Sequence, residues 1–297
     1  MDLAIMYHYI CEPEEWKGSV PISPKAFEKQ LDDLARQYEF VLPQDLRKPG
    51  KKPRCVLTFD DSTRDQYLHA FEIMRKKGIP GYFTVMSGPL QHQVVPVFHL
   101  VHAALSLIPE LRLWEELNSL VAQQSEKLEQ AHKIYEYESS VLRRYIKYTL
   151  NFILTAEQSR SFLETIVYHH FGTKSHFIEK MYIGVNEFAV MKQAGMELGV
   201  HCTSHRPFDG NAELYYKHEI EHCANFMEEH LGVIPQWYTP PFGGGEHQGK
   251  MIAELEGILR SAGYQGAFLT KSGYIEKSQE FWLKRLDCNK LIGDFGR

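Results

Sequence analysis

The chain of 297 residues lacks several features that would each point to a particular class of protein. Its five cysteines are an odd, scattered set without a CxxC pair, which argues against a disulfide framework and against a structural zinc knuckle. A formal net charge of -5 leaves no basic excess, and this disfavours nucleic acid and anionic membranes as partners. No stretch offers the roughly 20 apolar residues that a membrane-spanning helix needs. We therefore expect free, buried thiols in a protein without a transmembrane segment.

The first residues also lack the two regions of a secretory signal. Met1–His8 has neither a cationic stretch nor a long apolar one, so the sequence predicts a cytoplasmic protein. With 43% hydrophobic residues the composition is that of an ordinary globular protein, and one core can be sustained at this length. We expect a single domain over residues 1–297, whose oligomeric state the sequence leaves open.

Short β-prone runs alternate with segments of helical period over most of the chain. This alternation predicts parallel strands joined by crossover helices, as in an α/β barrel or a doubly wound sheet. One region differs, because residues of about 97–185 are charged and helical in period without a convincing strand, and we predict a helical insertion there. Strands are predicted at 3–7, 55–59, 82–85, 196–200, 236–238, 266–270 and 283–286.

Two adjacent carboxylates, Asp60 and Asp61, follow the apolar strand predicted at 55–59. An unpaired carboxylate at the end of a buried strand would be costly, so a functional pair is favoured over a solvated surface pair. Parallel α/β folds place reacting groups at the carboxyl ends of their strands. Because adjacent residues point in different directions, one carboxylate can bind a metal ion while the other faces a substrate.

Two histidines, His201 and His205, follow another predicted strand at a spacing of i, i+4. Two imidazoles and one carboxylate, with positions left open for water and substrate, are the composition of a catalytic zinc or similar divalent site. The spacing alone is a weak signal, since the chain has 15 histidines and repeats this spacing at His218 and His222 on an ordinary predicted helix.

The combination of motifs is more specific. Thr58–Asp61 (TFDD) and His201–His205 (HCTSH) resemble the first two motifs of the polysaccharide deacetylase (NodB-homology) family, which read TFDD and H-(S/T)-x-x-H. The resemblance implies a distorted (β/α) barrel with a divalent metal ion on Asp61 and both histidines, and with Asp60 as general base. Zn2+ is the expected ion, with Co2+, Ni2+ and Mn2+ as alternatives.

The third family motif, R-x-P-(Y/F), is similar to the segment 239–243 (TPPFG). Thr239 stands at the arginine position, so this alignment leaves the base without its usual guanidinium partner. Ser62 likewise replaces the glycine that usually follows the aspartate pair. On this resemblance we expect Pro241, Phe242 and Trp237 to contact the substrate, with aromatic packing of the barrel mouth as the alternative for each ring.

The family's last motif is a strand that ends in a histidine acting as general acid, but no histidine follows Asp287 in this chain. The opening strand at 3–7 ends at His8 instead. It resembles the start of the permuted branch that deacetylates biofilm poly-N-acetylglucosamine, which implies His8 as the general acid. Arg285-Leu286-Asp287 resembles the family element whose aspartate orients that histidine, although Asp287 could equally be a strand-end turn residue. The resemblance covers about 1–95 and 186–290.

The resemblance implies a metal-dependent hydrolase that removes an N-acetyl or N-formyl group from an amino sugar or a sugar-containing precursor, with a role in surface polysaccharide metabolism. Polymeric, nucleotide-linked, lipid-linked and free sugars all stay open as substrates. Two other functions stay open as well. One is hydrolysis of a non-sugar amide such as a ureide, which the threonine at 239 allows, and the other is a non-catalytic carbohydrate-binding barrel.

Overall fold

The computed structural model describes residues 1–48, 50–91, 94–121, 129–136, 138–276 and 280–292. The chain divides into two compact units. The barrel unit consists of Met1–Cys11, Ile22–Val94 and Ile178–Arg297, and the helical unit consists of Glu12–Pro21 and Val95–Phe177.

The barrel unit contains a parallel sheet in which seven strands close into a barrel. The strands are β1 (Leu3–Tyr7), β2 (Glu39–Phe40), β3 (Arg54–Phe59), β4 (Tyr82–Met86), β5 (Glu197–Cys202), β6 (Trp237–Tyr238), β7 (Gly266–Ser272) and β8 (Trp282–Asp287). The spatial order β1-β8-β7-β6-β5-β4-β3 is closed by pairing of β1 with β3, and β2 pairs with the first two residues of β3. The predicted (β/α) barrel is confirmed, and the doubly wound alternative is wrong because the sheet closes on itself.

Helical segments alternate with these strands. The α-helices are α1 (Pro24–Ala35), α2 (Glu72–Lys77), α3 (Ser87–Gln91), α4 (Val97–Leu107), α5 (Glu110–Val121), α6 (Glu129–Ile134), α7 (Val141–Tyr148), α8 (Ala156–Phe171), α9 (Lys174–Met181), α10 (Val185–Gln193), α11 (Ala212–Tyr215), α12 (His222–Phe226) and α13 (Gln248–Ser261). Wider π-type turns occupy Gln66–Phe71, Thr149–Ile153, Tyr216–Glu221 and Met227–Leu231, and 3₁₀ turns occupy Pro43–Arg47, Pro241–His247 and Cys288–Ile292.

Strands β1, β3 and β4 are mainly apolar because both of their faces are buried. Every residue of β1, β3 and β4 is buried, as expected for parallel strands covered by helices. Side chains alternate between the two faces. One set packs against helices such as α1, and the other fills the barrel interior with Ala4, Val56, Tyr82, Trp237 and Phe268.

Local signals in the sequence account for the ends of the helices. Ser23 caps α1 through a hydrogen bond from the backbone N–H of Ala26, and Pro24 occupies the first helical position, where its missing N–H is not needed. Helix α2 ends at Gly78, whose φ of 65° is the left-handed conformation that stops a helix. These contacts fix where each crossover helix returns the chain to the barrel.

The strands predicted from the sequence are confirmed to within about two residues at each end. Strand β2 was not predicted, since two residues show no periodicity. All five cysteines are free and buried, as expected. Between residues 97 and 185 the described chain forms helices α4 to α9, while the single domain and the bounds of the insertion stay predictions. In the described residues, no helix is both long and apolar enough to span a membrane. The cytoplasmic location stays a prediction.

The packing of the barrel interior makes Gly199 a sensitive position. A Cβ atom there would lie 2.4 Å from the Tyr82 ring and 2.6 Å from the carbonyl oxygen of Trp237. We expect Gly199→Ala to lower the free energy of unfolding by about 1–3 kcal/mol through overpacking, measured by urea denaturation. The control Gly257→Ala lies on the exposed face of α13 with open space around it, and it should stabilise by about 0.5–1 kcal/mol. Equal effects of the two substitutions would contradict this account.

Candidate metal centre and active site

The candidate site lies at the carboxyl end of the barrel. Because all strands are parallel, residues at their C-terminal ends meet at one rim, where loops can vary without disturbing the sheet. The rim gathers His8 after β1, Asp60 and Asp61 after β3, His201 in β5 with His205 after it, Thr239 after β6, and Arg285 and Asp287 in β8.

Three buried side chains converge there. The Nε2 atoms of His201 and His205 lie 3.1 and 3.2 Å from Oδ1 of Asp61, and the three donor atoms lie within 4.8 Å of one another. Nδ1 of His201 lies 2.7 Å from the carbonyl oxygen of Thr239, which can only accept, so Nδ1 carries the proton and Nε2 of the neutral ring has a free lone pair. The donor set is therefore suited to a divalent ion such as Zn2+.

The two histidines lie in different kinds of backbone. His201 belongs to β5, and His205 lies in the following loop with a φ of 58°. In the described residues, the non-glycine positions with a left-handed φ are Asp61, Ser62, His205 and Phe242, all at this rim. Such conformations cost of the order of 1–3 kcal/mol each and persist where surrounding contacts impose them, which is typical of functional sites.

Ser62 shows why a glycine is usual after the aspartate pair. Its φ of 55° is the region that glycine enters without steric cost. The serine hydroxyl donates to the carbonyl oxygen of Thr84 and accepts from the backbone N–H of Met86, each at 2.8 Å. These two buried hydrogen bonds offset the strain, so the departure from the family pattern is compatible with the same loop.

Asp60 is paired with Arg285. The guanidinium donates to both carboxylate oxygens at 2.8 Å and is itself held by Oγ1 of Thr58 and the carbonyl oxygen of Leu269, each at 2.9 Å. The expectation that the base lacks a guanidinium partner is therefore wrong. Strand β8 supplies the cation that Thr239 does not, and the sequence analysis missed it because it assigned the segment 285–287 to the role of Asp287.

The electrostatics of the site favour a cation between the carboxylates. Burial raises the pKa of Asp60, but Arg285, with smaller contributions from His201 and His8, outweighs burial and the net pKa is lowered, so Asp60 is ionised at neutral pH. Burial lowers the pKa of His201, but the carboxylates of Asp61 and Asp60 outweigh burial and raise it. The negative charge that would hold a proton on His201 equally attracts a metal ion to the same point.

His8 lies near Asp60, and its charge when protonated contributes to lowering the pKa of that carboxyl. The backbone carbonyl of His8 accepts hydrogen bonds from Nε2 of Gln66 at 2.6 Å and from Oγ1 of Thr63 at 3.4 Å, and Gln66 also donates to the carbonyl oxygen of Asp60. Asp287 pairs with Met6 in the sheet, and its Oδ1 accepts the N–H of the turn residue Asn289 at 2.9 Å. The catalytic roles of His8 and Asp287 stay predictions.

The three residues expected at the substrate differ in exposure. Phe242 is 52% exposed, and its ring meets the His205 ring edge-on at a centroid distance of 4.6 Å, so it stays a candidate for sugar contact. Pro241 is buried beside it. Trp237 is only 1% exposed and stacks on Phe268 at 5.5 Å, so we correct its assignment from substrate contact to the barrel core.

Comparisons with known proteins find one similar family and several similar folds. The profile of the polysaccharide deacetylase family matches residues 155–266, which include His201 and His205.

Three similar solved structures each match 96% of this chain. IcaB from Ammonifex degensii is 18% identical with a TM-score of 0.56, and 90% of that chain is covered. The deacetylase PplD from Streptococcus pyogenes, in complex with acetate, is 16% identical with a TM-score of 0.57 and 91% covered. A de-N-acetylase from Aggregatibacter actinomycetemcomitans is 15% identical with a TM-score of 0.54 and 93% covered. No curated protein matches the sequence. The resemblance to this family is confirmed, and the structural likeness shows the shared fold.

The ion pair predicts a pH-dependent loss of stability in Arg285→Met. With Arg285 present the lowered pKa of Asp60 adds stability above the ordinary carboxyl pKa of about 4, and this stability disappears as the pH falls. Without the guanidinium, burial disfavours the carboxylate, and removing one partner of a buried pair costs about 3–5 kcal/mol. The free energy of unfolding of Arg285→Met, measured by urea denaturation, should therefore fall further below that of the parent as the pH rises from 4.5 to 7.

A matched double variant separates charge from packing. Asp60→Asn combined with Arg285→Met leaves no uncompensated charge, and it should be more stable at pH 7 than Arg285→Met alone. Two results together would show that Arg285 acts only through its packing. One is a loss of unfolding free energy in Arg285→Met that does not change with pH, and the other is a double variant no more stable than Arg285→Met.

Proposed function

We propose that this protein is a metal-dependent hydrolase that removes an N-acetyl or N-formyl group from an amino sugar. One observation carries the proposal. Two imidazole Nε2 atoms and one carboxylate oxygen converge at the barrel rim next to a second carboxylate, Asp60, that is held in its ionised form by Arg285. This arrangement combines a cation site with a proton acceptor, which are the two components that hydrolysis of an amide at neutral pH requires.

In this proposal Asp61, His201 and His205 hold the divalent ion, with Zn2+ as the ion that best fits two imidazoles and one carboxylate. When bound, such an ion polarises the amide carbonyl and lowers the pKa of its water from about 15.7 toward about 7. The hydrogen bond from Nδ1 of His201 to Thr239 keeps the metal-binding nitrogen facing the site.

The remaining steps belong to residues of the chain. Asp60 accepts a proton from the attacking water, while its bidentate contact with Arg285 keeps the carboxylate oriented. Backbone N–H groups near Pro241 and Phe242 donate to the carbonyl oxygen as it gains charge. His8 gives a proton to the departing nitrogen, so that acetate and a free amine leave the site.

The substrate class rests on the comparisons and on the resemblance to the permuted branch. The structures named above include two deacetylases, one of them solved with acetate, and the family profile is that of polysaccharide deacetylases. The exposed ring of Phe242 supports a sugar substrate, since an aromatic face can pack on a pyranose ring. We propose an N-acetylated amino sugar of a surface polysaccharide or its precursor as the substrate.

The proposal is tested by metal content and hydrolysis measured on the same variants. We expect one divalent ion per chain in the parent, lost in His201→Ala and His205→Ala. Asp60→Asn should keep the ion but lose about 10²–10⁴-fold of acetate release from an N-acetylglucosamine oligosaccharide, because the base makes no metal bond. Loss of the ion in Asp60→Asn would place this residue among the ligands.

Two results would replace the proposal with its alternatives. Binding of the oligosaccharide without any acetate or formate released, in metal-loaded protein, would indicate a non-catalytic carbohydrate-binding barrel. Hydrolysis of ureides or other non-sugar amides, with no turnover of N-acetyl or N-formyl sugars, would indicate a different amide hydrolase on the same barrel.

The role of His8 is tested by comparing two leaving groups. We expect His8→Ala to lose most hydrolysis of an N-acetyl sugar, because an amine must be protonated as it departs. Hydrolysis of an activated aryl acetate should fall little, because a phenolate leaves without a proton. Rates equal to those of the parent on both substrates would remove His8 from the mechanism.

A further inference from the structure

A buried carboxylate that belongs to none of the sequence motifs lies behind the loop joining the two histidines. Glu219 is in the helical turn Tyr216–Glu221 and is only 1% exposed. A buried charge is costly unless hydrogen bonds compensate it, so the partners of this side chain show what it does.

All the hydrogen bonds described for this carboxylate come from the loop between the histidines or from Arg206, which follows His205. Oε2 accepts the backbone N–H groups of Thr203 at 3.2 Å and Ser204 at 2.7 Å. Oε1 accepts the hydroxyl of Ser204 and Nε of Arg206, the latter at 3.0 Å. Glu219 therefore binds the backbone immediately before His205 with charge-assisted hydrogen bonds, which are about twice as strong as neutral ones.

The same loop is held from its other side by α3. The N–H of Gly88 donates to the carbonyl oxygen of Thr203 at 2.8 Å, and a Cβ atom on Gly88 would lie 2.1 Å from that oxygen. The hydroxyl of Thr203 donates to the backbone carbonyl of Glu219 at 3.3 Å. The loop is thus clamped between Gly88 and Glu219 just before His205 adopts its left-handed φ of 58°.

We propose that Glu219 is a positioning residue that builds the metal centre by holding His205 with its Nε2 beside Asp61. The inference rests on the proposed function, because it assigns a purpose to the donor set of Asp61, His201 and His205. The described hydrogen bonds of the Glu219 carboxylate go to Thr203, Ser204 and Arg206 and to none of the three donor atoms, so its effect is on metal affinity and geometry. Removing its acceptors frees the loop to relax toward a right-handed backbone at His205, which moves one ligand of three away from the centre.

The experiment measures the Zn2+ dissociation constant of metal-free protein by competition with a chromogenic chelator. Glu219→Met keeps the shape and removes every acceptor, and we expect roughly 10–100-fold weaker binding, the usual cost of losing support for a ligand. Glu219→Gln keeps one carbonyl acceptor for the loop N–H groups, and it should lie between Glu219→Met and the parent. Arg206→Ala removes only the exposed donor, and Glu228→Met replaces an exposed glutamate of the same helical run; both should bind like the parent.

A second readout distinguishes positioning from general stability. The visible absorption spectrum of the Co2+-loaded protein reports ligand geometry, and it should change in Glu219→Met and remain that of the parent in Arg206→Ala. Circular dichroism shows at which temperatures each metal-free variant is folded, and binding is compared there. If Glu219→Met does not fold, the inference is tested on Glu219→Gln. A Zn2+ affinity and a Co2+ spectrum of Glu219→Gln that equal those of the parent then overturn the inference.

Other outcomes are equally informative. Parental affinity in a folded Glu219→Met overturns the inference and leaves the proposed function standing. Equal weakening in Arg206→Ala and Glu219→Met also overturns it, because the ion pair rather than the loop contacts would then be responsible. A parent protein that binds neither Zn2+ nor Co2+ overturns the proposed function together with this inference.

Discussion

Pairing of β1 with both β3 and β8 is the contact on which the candidate site depends. Leu3–Tyr7 runs in register with Cys55–Phe59 on one side, and Met6 lies opposite Asp287 on the other. Strand β1 lies between β3 and β8 in the closed sheet, so its two pairings bring the rim residues of β8 close to those of β3. The ion pair between Arg285 and Asp60 spans that junction, so the protonation state of the proposed base depends on barrel closure.

The buried carboxylates near the rim are each compensated by hydrogen-bond donors that the fold holds in place. Asp60 has a guanidinium that is itself held by two oxygen atoms, and Glu219 has backbone N–H groups. Asp61 differs in that its carboxylate faces two imidazole Nε2 atoms, at 3.1 and 3.2 Å. One carboxylate oxygen and two imidazole nitrogens at this distance form a donor set for a divalent cation, which is the physical basis of the proposed metal centre.

The sequence predicted the strands and the three side chains that converge at the rim, Asp61, His201 and His205, because both are local signals. Apolar runs identify buried strands, and the motifs around Asp60 and His201 lie next to them. Arg285 could not be assigned in this way, since its partner is distant in sequence and the pairing depends on the register of β8 in a closed sheet. Trp237 was misassigned for a related reason, as only the alternation of side chains in a formed barrel shows that this ring points inward. A left-handed conformation is uncommon even for histidine, so the sequence alone could not predict it for His205, where tertiary contacts hold the loop.

The placement of β1 has a consequence for the order in which the chain acquires its structure. Strand β1 pairs with β8, the last strand described, so the sheet cannot close until β8 has been synthesised, long after β1. At about 5–20 residues per second, synthesis of the residues from β1 to β8 takes on the order of tens of seconds. During this time β1 lacks β8 and can pair only with β3. Closure by such distant segments gives a high contact order and predicts slow folding. The incomplete barrel has an open sheet edge that can pair with other chains, so it is the intermediate most in need of protection by a chaperone.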